Sequence, residues 1–195
     1  MGHSKCLVSD GCVAVTCEKT KGFAMLVGVL SDTHGKLPVT AYTALADCDH
    51  IIHAGDIGGV EILRELETLA SVTAVLGNND YPEYGDAVGR FANPVLGGVK
   101  FLVAHYDHMV KVTAFGNRFL KPGDPIPDVC IHGHTHVPRL DFGPDVRPVG
   151  YVLNPGSTSR PRGGFPPSIA RIHIENARVC SIQVESLTGE VLLSC

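Results

Sequence analysis

The sequence predicts an α/β sandwich, and three observations carry that prediction. From Met25 onward, short apolar runs rich in β-branched residues alternate with stretches of helical spacing. Residues 121–167 are crowded with Pro and Gly, so that half reads as strand and loop rather than helix. Each apolar run also stops at a polar cluster, as expected where strands deliver ligand-binding groups at their carboxyl ends.

The elements follow in order. Residues 25–30, MLVGVL, form the first strand and stop at Ser31-Asp32-Thr33-His34-Gly35. Residues 38–48 read as a helix, with Pro38 suited to its first turn. Residues 50–54 are a second strand, ending at Gly55-Asp56. In residues 60–70, Val60, Leu63, Leu66 and Leu69 recur at helical spacing with Glu and Arg opposite. Residues 71–76 form a third strand, ending at Gly77-Asn78-Asn79-Asp80. Further strands are read at 99–104, 128–131, 169–175 and 179–185, the last two as a hairpin around Asn176-Ala177. Residues 1–24 differ in character and read as a leader or extension, with the functional domain at 25–195.

Bulk properties narrow the function. The chain has 195 residues, 44% hydrophobic and 18% charged, which is enough for one domain with a substantial core. A net charge of −4 argues against a general nucleic-acid grip, which needs a basic face. No apolar run approaches a membrane span, and charged residues break every apolar stretch before Gly22. Seven cysteines, an odd count with no CxxC pair, point to free thiols in a reducing cytoplasm. Cys6, Cys12 and Cys17 match no zinc spacing.

The polar clusters share one chemistry. Asp32 and His34 follow the first strand, Asp56 the second and Asn78 the third; His105 follows the run at 99–104, and His132, His134 and His136 follow the run at 129–131. In an extended segment residues i and i+2 point the same way, so Asp32 and His34 can share one metal and His134 and His136 a neighbouring pair. Mixed His, Asp and Asn ligation suits Mn²⁺, Fe or Zn²⁺ better than thiolate-preferring metals. Gly35, Gly55, Gly77 and Gly133 beside these residues permit tight turns and close backbone approach.

The ordered set D-x-H, G-D, G-N-x-D, a lone His and G-H-T-H resembles the signature of the calcineurin-like metallophosphoesterases. The opening MLVGVLSDTHG and the late NPGSTSRPRGG are similar to the small YfcE-type phosphodiesterase branch, over about residues 25–186. The resemblance implies two mixed β-sheets packed face to face and flanked by helices in four layers. It implies two divalent metal ions, Mn²⁺ first, with Ni²⁺, Fe and Zn²⁺ as alternatives. Asp32, His34, Asp56 and His136 would hold one ion; Asp56, Asn78, His105 and His134 would hold the other, Asp56 bridging. A hydroxide between the metals would attack a small phosphate-ester substrate, favouring phosphodiesters, and Asp80 would orient a ligand. His132 and His53 read as residues packed behind the site.

Two departures from the pattern matter. Many relatives carry a proton-donating His where this chain has Asn79, and an amide is no general acid. The segment Ala104-His105-Tyr106-Asp107-His108 replaces a usual His-Gly, leaving His108 as the fallback ligand and donor. Arg160 and Arg162 are equally suited to a phosphate or to solvent, and residues 109–120 are read as a flap over the metals. The competing reading is a phosphoesterase-fold scaffold for protein contacts, like the phosphoesterase-like subunit of retromer, which predicts replaced ligands. A metallo-β-lactamase-type site would need HxHxDH, but Val137-Pro138 follows His136. A homo-oligomer is compatible with the sequence.

Overall fold

The computed structural model describes residues 24–81, 84–113, 115–121 and 123–195. The expected leader, including Cys6, Cys12 and Cys17, lies outside them apart from Ala24. Two mixed sheets stack face to face, as the sequence predicts. In the first, β1 (Ala24–Leu30), β2 (His50–His53) and β3 (Ser71–Ala74) run parallel. β10 (Ser168–Glu175), β11 (Arg178–Ser186) and β12 (Val191–Ser194) continue it antiparallel beyond β1. In the second, β6 (Val99–Ala104), β7 (Val129–Ile131) and β9 (Tyr151–Asn154) are parallel. Its antiparallel edges are β4 (Phe91–Ala92) and β8 (Arg139–Phe142), with β5 (Val95–Leu96) pairing β6.

Alternation of side chains along the strands builds the layers. Val27, Val29, Ile52, Phe101, Ile131 and Ile172 point into the space between the sheets. Their neighbours Leu30, Ile51 and Ile169 face outward and are covered by Leu45, Ile62, Leu63 and Leu66. These come from the ends and faces of α1 (Val39–Ala44) and α2 (Val60–Glu67). On the opposite outer face, Leu102, Ala104 and Cys130 pack against Met109 and Val110 of α3 (Asp107–Val110).

The differences from the expected elements are local. α1 is shorter than residues 38–48, and Pro38 is its extended N-cap residue rather than part of its first turn. α2 buries Ile62 as well as Leu63 and Leu66, and stops at Glu67. The β10–β11 hairpin turns on Asn176 and Ala177, with φ of 52° and 59°, the left-handed pair that matches strand twist. No helix among the described residues is long and apolar enough to cross a membrane.

Candidate metal centre

Six parallel strands, three from each sheet, end along one edge of the sandwich, and the side chains gathered there come from the loops that follow them. Backbone bonds lock the loops together: Asp32 N–H donates to the Gly55 carbonyl (2.9 Å), His34 N–H to the Asp56 carbonyl (2.9 Å) and Gly133 N–H to the His105 carbonyl (3.0 Å). Glycines allow this approach. A Cβ on Gly77 would lie 2.1 Å from Asp56 Oδ1, and one on Gly133 would lie 1.9 Å from Ser31 Oγ.

One atom from each of Asp32, His34, Asp56 and His136 falls within a group whose members all lie within 4.8 Å of one another. His136 Nε2 is 3.1 Å from Asp32 Oδ1 and 3.3 Å from His34 Nε2, which is 3.7 Å from Asp56 Oδ2. The other oxygen of Asp56 faces a second group. His105 Nε2 lies 3.5 Å from Asp56 Oδ1 and 3.2 Å from Asn78 Oδ1, and His134 Nδ1 lies 2.9 Å from Asn78 Oδ1. Asp56 contacts imidazoles of both groups, one through each oxygen, and Asp32 Oδ1 also reaches from His136 (3.1 Å) to His105 (4.0 Å).

The donor set fits cations. His136 Nδ1 donates to the Arg160 carbonyl at 2.6 Å and His105 Nδ1 to the Ala54 carbonyl at 2.8 Å, so each ring is held with its Nε2 turned inward. The inward atoms face the oxygens of Asp32, Asp56 and Asn78, and His136 Nε2 also faces His34 Nε2. Asp32 Oδ1 is buried and receives no hydrogen bond. Acceptors converging on acceptors in a buried site repel one another unless a proton or a metal ion lies between them.

The electrostatics carry the same signature. Burial raises the Asp32 carboxyl above the usual carboxylate range. Burial opposes ionised Asp56 too, but the contacts with His105 and Asn79 outweigh it and hold that group well below the ordinary range. For His105 burial works downward, while Asp56, Asp32 and the Ala54 carbonyl reverse the sign and raise it. Burial lowers His34 and His134, keeping both neutral and ready to ligate.

Extended i, i+2 geometry does not describe this edge. Asp32, His34, Asp56, His134 and His136 have φ of 55°, 47°, 55°, 68° and 60°, all in the left-handed region. The strands have already ended, and each side chain is aimed by a tight turn rather than by the pleat. Asp and His tolerate this region better than most residues, and its recurrence at five positions marks a functional constraint.

Other residues singled out from the sequence fall around this cluster. The Asn79 backbone N–H donates to Asp56 Oδ1 (2.8 Å) and its side-chain amide to Oδ2 (2.6 Å), so it grips the shared carboxylate. Asp80 touches none of the inward-facing atoms. Its carboxylate accepts the backbone N–H groups of Ile57 (3.0 Å), Gly58 (2.9 Å) and Gly77 (2.8 Å), and the Tyr84 hydroxyl. His105 is in the cluster, whereas His108 is 65% exposed beside Asp107.

His53 and His132 lie behind the site. His53 Nδ1 accepts the Gly55 N–H, and its Nε2 donates to Thr33 Oγ1 (2.9 Å), which donates on to the Ile57 carbonyl. His132 is buried among the Gly133 carbonyl and the Asn154 amide. Residues 109–120 begin with Met109, Val110 and Val112 packed on the outer face of the second sheet, and Asn117 Nδ2 ties back to the Met109 carbonyl (2.8 Å). That part of the segment is anchored to the second sheet.

Sequence reasoning missed the supports supplied by the turn after β9. Ser157 Oγ (2.8 Å) and Ser159 Oγ (3.1 Å) donate to the Asp32 carbonyl. Asn154 Nδ2 donates to the Gly133 carbonyl (2.8 Å) and to Thr135 Oγ1 (3.0 Å), fixing the loop that carries His134 and His136. The available signal is the Asn154-Pro155-Gly156-Ser157 turn that opens the NPGSTSRPRGG segment.

A two-sheet α/β sandwich with a His, Asp and Asn cluster along one edge defines a metal-binding class of protein. The chain belongs to the calcineurin-like phosphoesterase superfamily, whose domain matches residues 25–177. It is 37% identical over 163 residues to a probable metallophosphoesterase of Methanocaldococcus jannaschii, covering 80% of this chain and 79% of that one. A phosphodiesterase of the same archaeon is 28% identical over 158 residues, covering 73% and 89%. Among solved structures, the E. coli phosphoesterase YfcE superposes with a TM-score of 0.63 at 22% identity, covering 88% of this chain and 98% of that one. Vps29 of Entamoeba histolytica complexed with Zn²⁺ superposes with a TM-score of 0.64 at 25% identity, covering 86% and 96%. These likenesses accord with the small YfcE-type branch of the superfamily.

Proposed function

We propose that the chain is a dinuclear metal-dependent phosphoesterase that prefers phosphodiesters. One observation supports this above the others: Asp56 faces two groups of metal-compatible atoms at once, through Oδ2 on one side and Oδ1 on the other. Asp32, His34, Asp56 and His136 would hold one divalent cation, and Asp56, Asn78, His105 and His134 a second, with Mn²⁺ the first choice. Such a pair supplies Lewis-acid charge to the phosphoryl oxygens and acidifies water to a nucleophile. The chain's own contribution is preorganisation. The Arg160 and Ala54 carbonyls fix the tautomers of His136 and His105, Asn79 orients Asp56, and Asp80 holds the loops in register.

Among the described residues, neither Asn79 nor His108 is placed to protonate a leaving group. Asn79 is committed to Asp56, and His108 lies outside the cluster. Turnover should therefore depend steeply on the acidity of the leaving alcohol. The phosphodiesterase among the relatives supports the diester preference. The scaffold reading predicts replaced ligands, and each position of the set is filled here.

The test is hydrolysis of bis-p-nitrophenyl phosphate by metal-stripped protein, with and without Mn²⁺, beside p-nitrophenyl phosphate. The expected result is Mn²⁺-dependent turnover, with the diester faster. Absence of turnover with Mn²⁺, Ni²⁺ and Zn²⁺ would transfer the weight to the scaffold reading.

A further inference from the structure

The Ser157–Arg160 turn has a second side. Its inner face supports the metal centre, where Ser157 and Ser159 hydrogen-bond the Asp32 carbonyl and the Arg160 carbonyl fixes His136. Its outer face, at Thr158 and Ser159, walls a groove of about 360 Å³. Lys36, two residues beyond His34 in the same loop, forms the facing wall with Pro38 and Thr40, and Pro166, Pro167 and Thr188 close the rest. The groove thus adjoins the Asp32–His34 half of the centre through two shared loops.

Three features of this groove describe its ligand. Its size falls at the lower end of small-molecule sites. Its prolines and threonine methyls offer flat, apolar contact, with hydroxyls at the margins to meet polar substituents. Thr158, 1% exposed, forms part of the wall, and its buried hydroxyl has no hydrogen-bond partner. Its charge is one-sided: Lys36 lines it, and among the described residues no carboxylate does. Arg160, next in sequence to Ser159, is a second exposed cation, with no carboxylate partner among the described residues.

We propose that this groove is the subsite for the non-leaving alcohol arm of a phosphodiester, and that it takes a compact hydroxylated group without positive charge, such as a glycerol or ribose unit. The inference rests on the phosphodiesterase reading and deepens it, because it names which esters that centre acts upon. Lys36 discriminates by charge and the marginal hydroxyls, such as that of exposed Thr40, by hydrogen bonding, while the prolines contact the C–H faces of the arm.

The experiment holds the chemistry constant. The full chain loaded with Mn²⁺ is assayed on two diesters that share p-nitrophenolate as leaving group, one with a glycerol arm and one with a choline arm. The wild-type protein should prefer the glycerol ester by roughly tenfold or more in kcat/KM. Lys36→Glu should collapse that ratio toward or below one, and Thr188→Trp, which fills the groove, should raise KM for the glycerol ester. In a second readout, glycerol 3-phosphate should bind metal-free wild-type protein more tightly than phosphocholine in calorimetry, and Lys36→Glu should erase the difference. An equal ratio in all three proteins, with bis-p-nitrophenyl phosphate still hydrolysed, overturns the subsite and leaves the metal centre standing. No Mn²⁺-dependent hydrolysis of any ester by the wild-type protein overturns the phosphodiesterase reading, and the subsite with it.

Discussion

Asn79 shows how a single residue changes meaning between sequence and structure. In the sequence it is a missing proton donor; in the fold its two N–H groups hold both oxygens of Asp56. Asn79→Ala keeps the backbone bond and loses the side-chain one, so the carboxylate can rotate. Loss of such an orienting contact typically weakens metal affinity by roughly 10- to 100-fold. Calorimetric titration of the metal-free variant with Mn²⁺ should show a drop of that size with little change in the unfolding transition; an unchanged affinity would mean Asn79 is a bystander. The residue scale also explains why the ligand types were legible and their aim was not. Asp, His and Asn at strand ends are visible in any reading of the chain. Their left-handed backbone is not, because residue identity only weakly sets φ outside glycine, and the loops that impose it come from distant segments.

At the level of elements, the centre depends on how strand-end loops are tied together, and Asp80 is the main tie between the second and third. Its carboxylate accepts backbone N–H groups from Ile57 and Gly58 on one loop and Gly77 on the other. Asp80→Ala strands those donors, at a cost of about 1–3 kcal/mol for each one left without water. Because Asp80 is partly exposed, water replaces some of the loss, and a total near 2–4 kcal/mol is expected in urea unfolding. Mn²⁺ affinity should fall with it, and Asp80→Asn, which keeps one acceptor oxygen, should fall between. The strands and helices that frame these loops were readable from local pattern, β1, α2 and β6 most clearly. The insertion of β10 antiparallel beside β1 was not readable, since pairing across well over a hundred residues leaves no local trace. β8, β9 and β12 were missed because each is only four residues long and lies among turn-forming residues.

Taken as a whole molecule, the protein folds around a site that opposes its own formation without cations, and its stability should respond to metal and to pH. Five left-handed residues and a cluster of facing acceptors are retained in the folded chain, so ligands that bind only this state stabilise it. Mn²⁺ at a hundredfold over its Kd should add about 2.7 kcal/mol. That corresponds to a Tm increase of roughly 5–10 °C for a chain of this size, removed by a chelator. The pH dependence in the metal-free protein follows from His53. Burial pushes this imidazole from 6.5 down to about 4, and its Nδ1 is already taken by the Gly55 N–H. Between those two values the unfolded chain binds a proton that the folded chain refuses, so stability rises with pH. The His53 contribution is complete above about 6.5 and is lost progressively as pH falls toward 4, a change of about 3 kcal/mol. His34, His50, His132 and His134, also lowered by burial, add in the same direction, while the raised His105 opposes them. Urea unfolding of metal-free protein at pH 7.5 and pH 5 measures the sum, and His53→Gln isolates one part of it. The variant should be less stable at pH 7.5 but lose less on acidification; equal losses in the two proteins would show that His53 is not the neutral buried relay its hydrogen bonds describe.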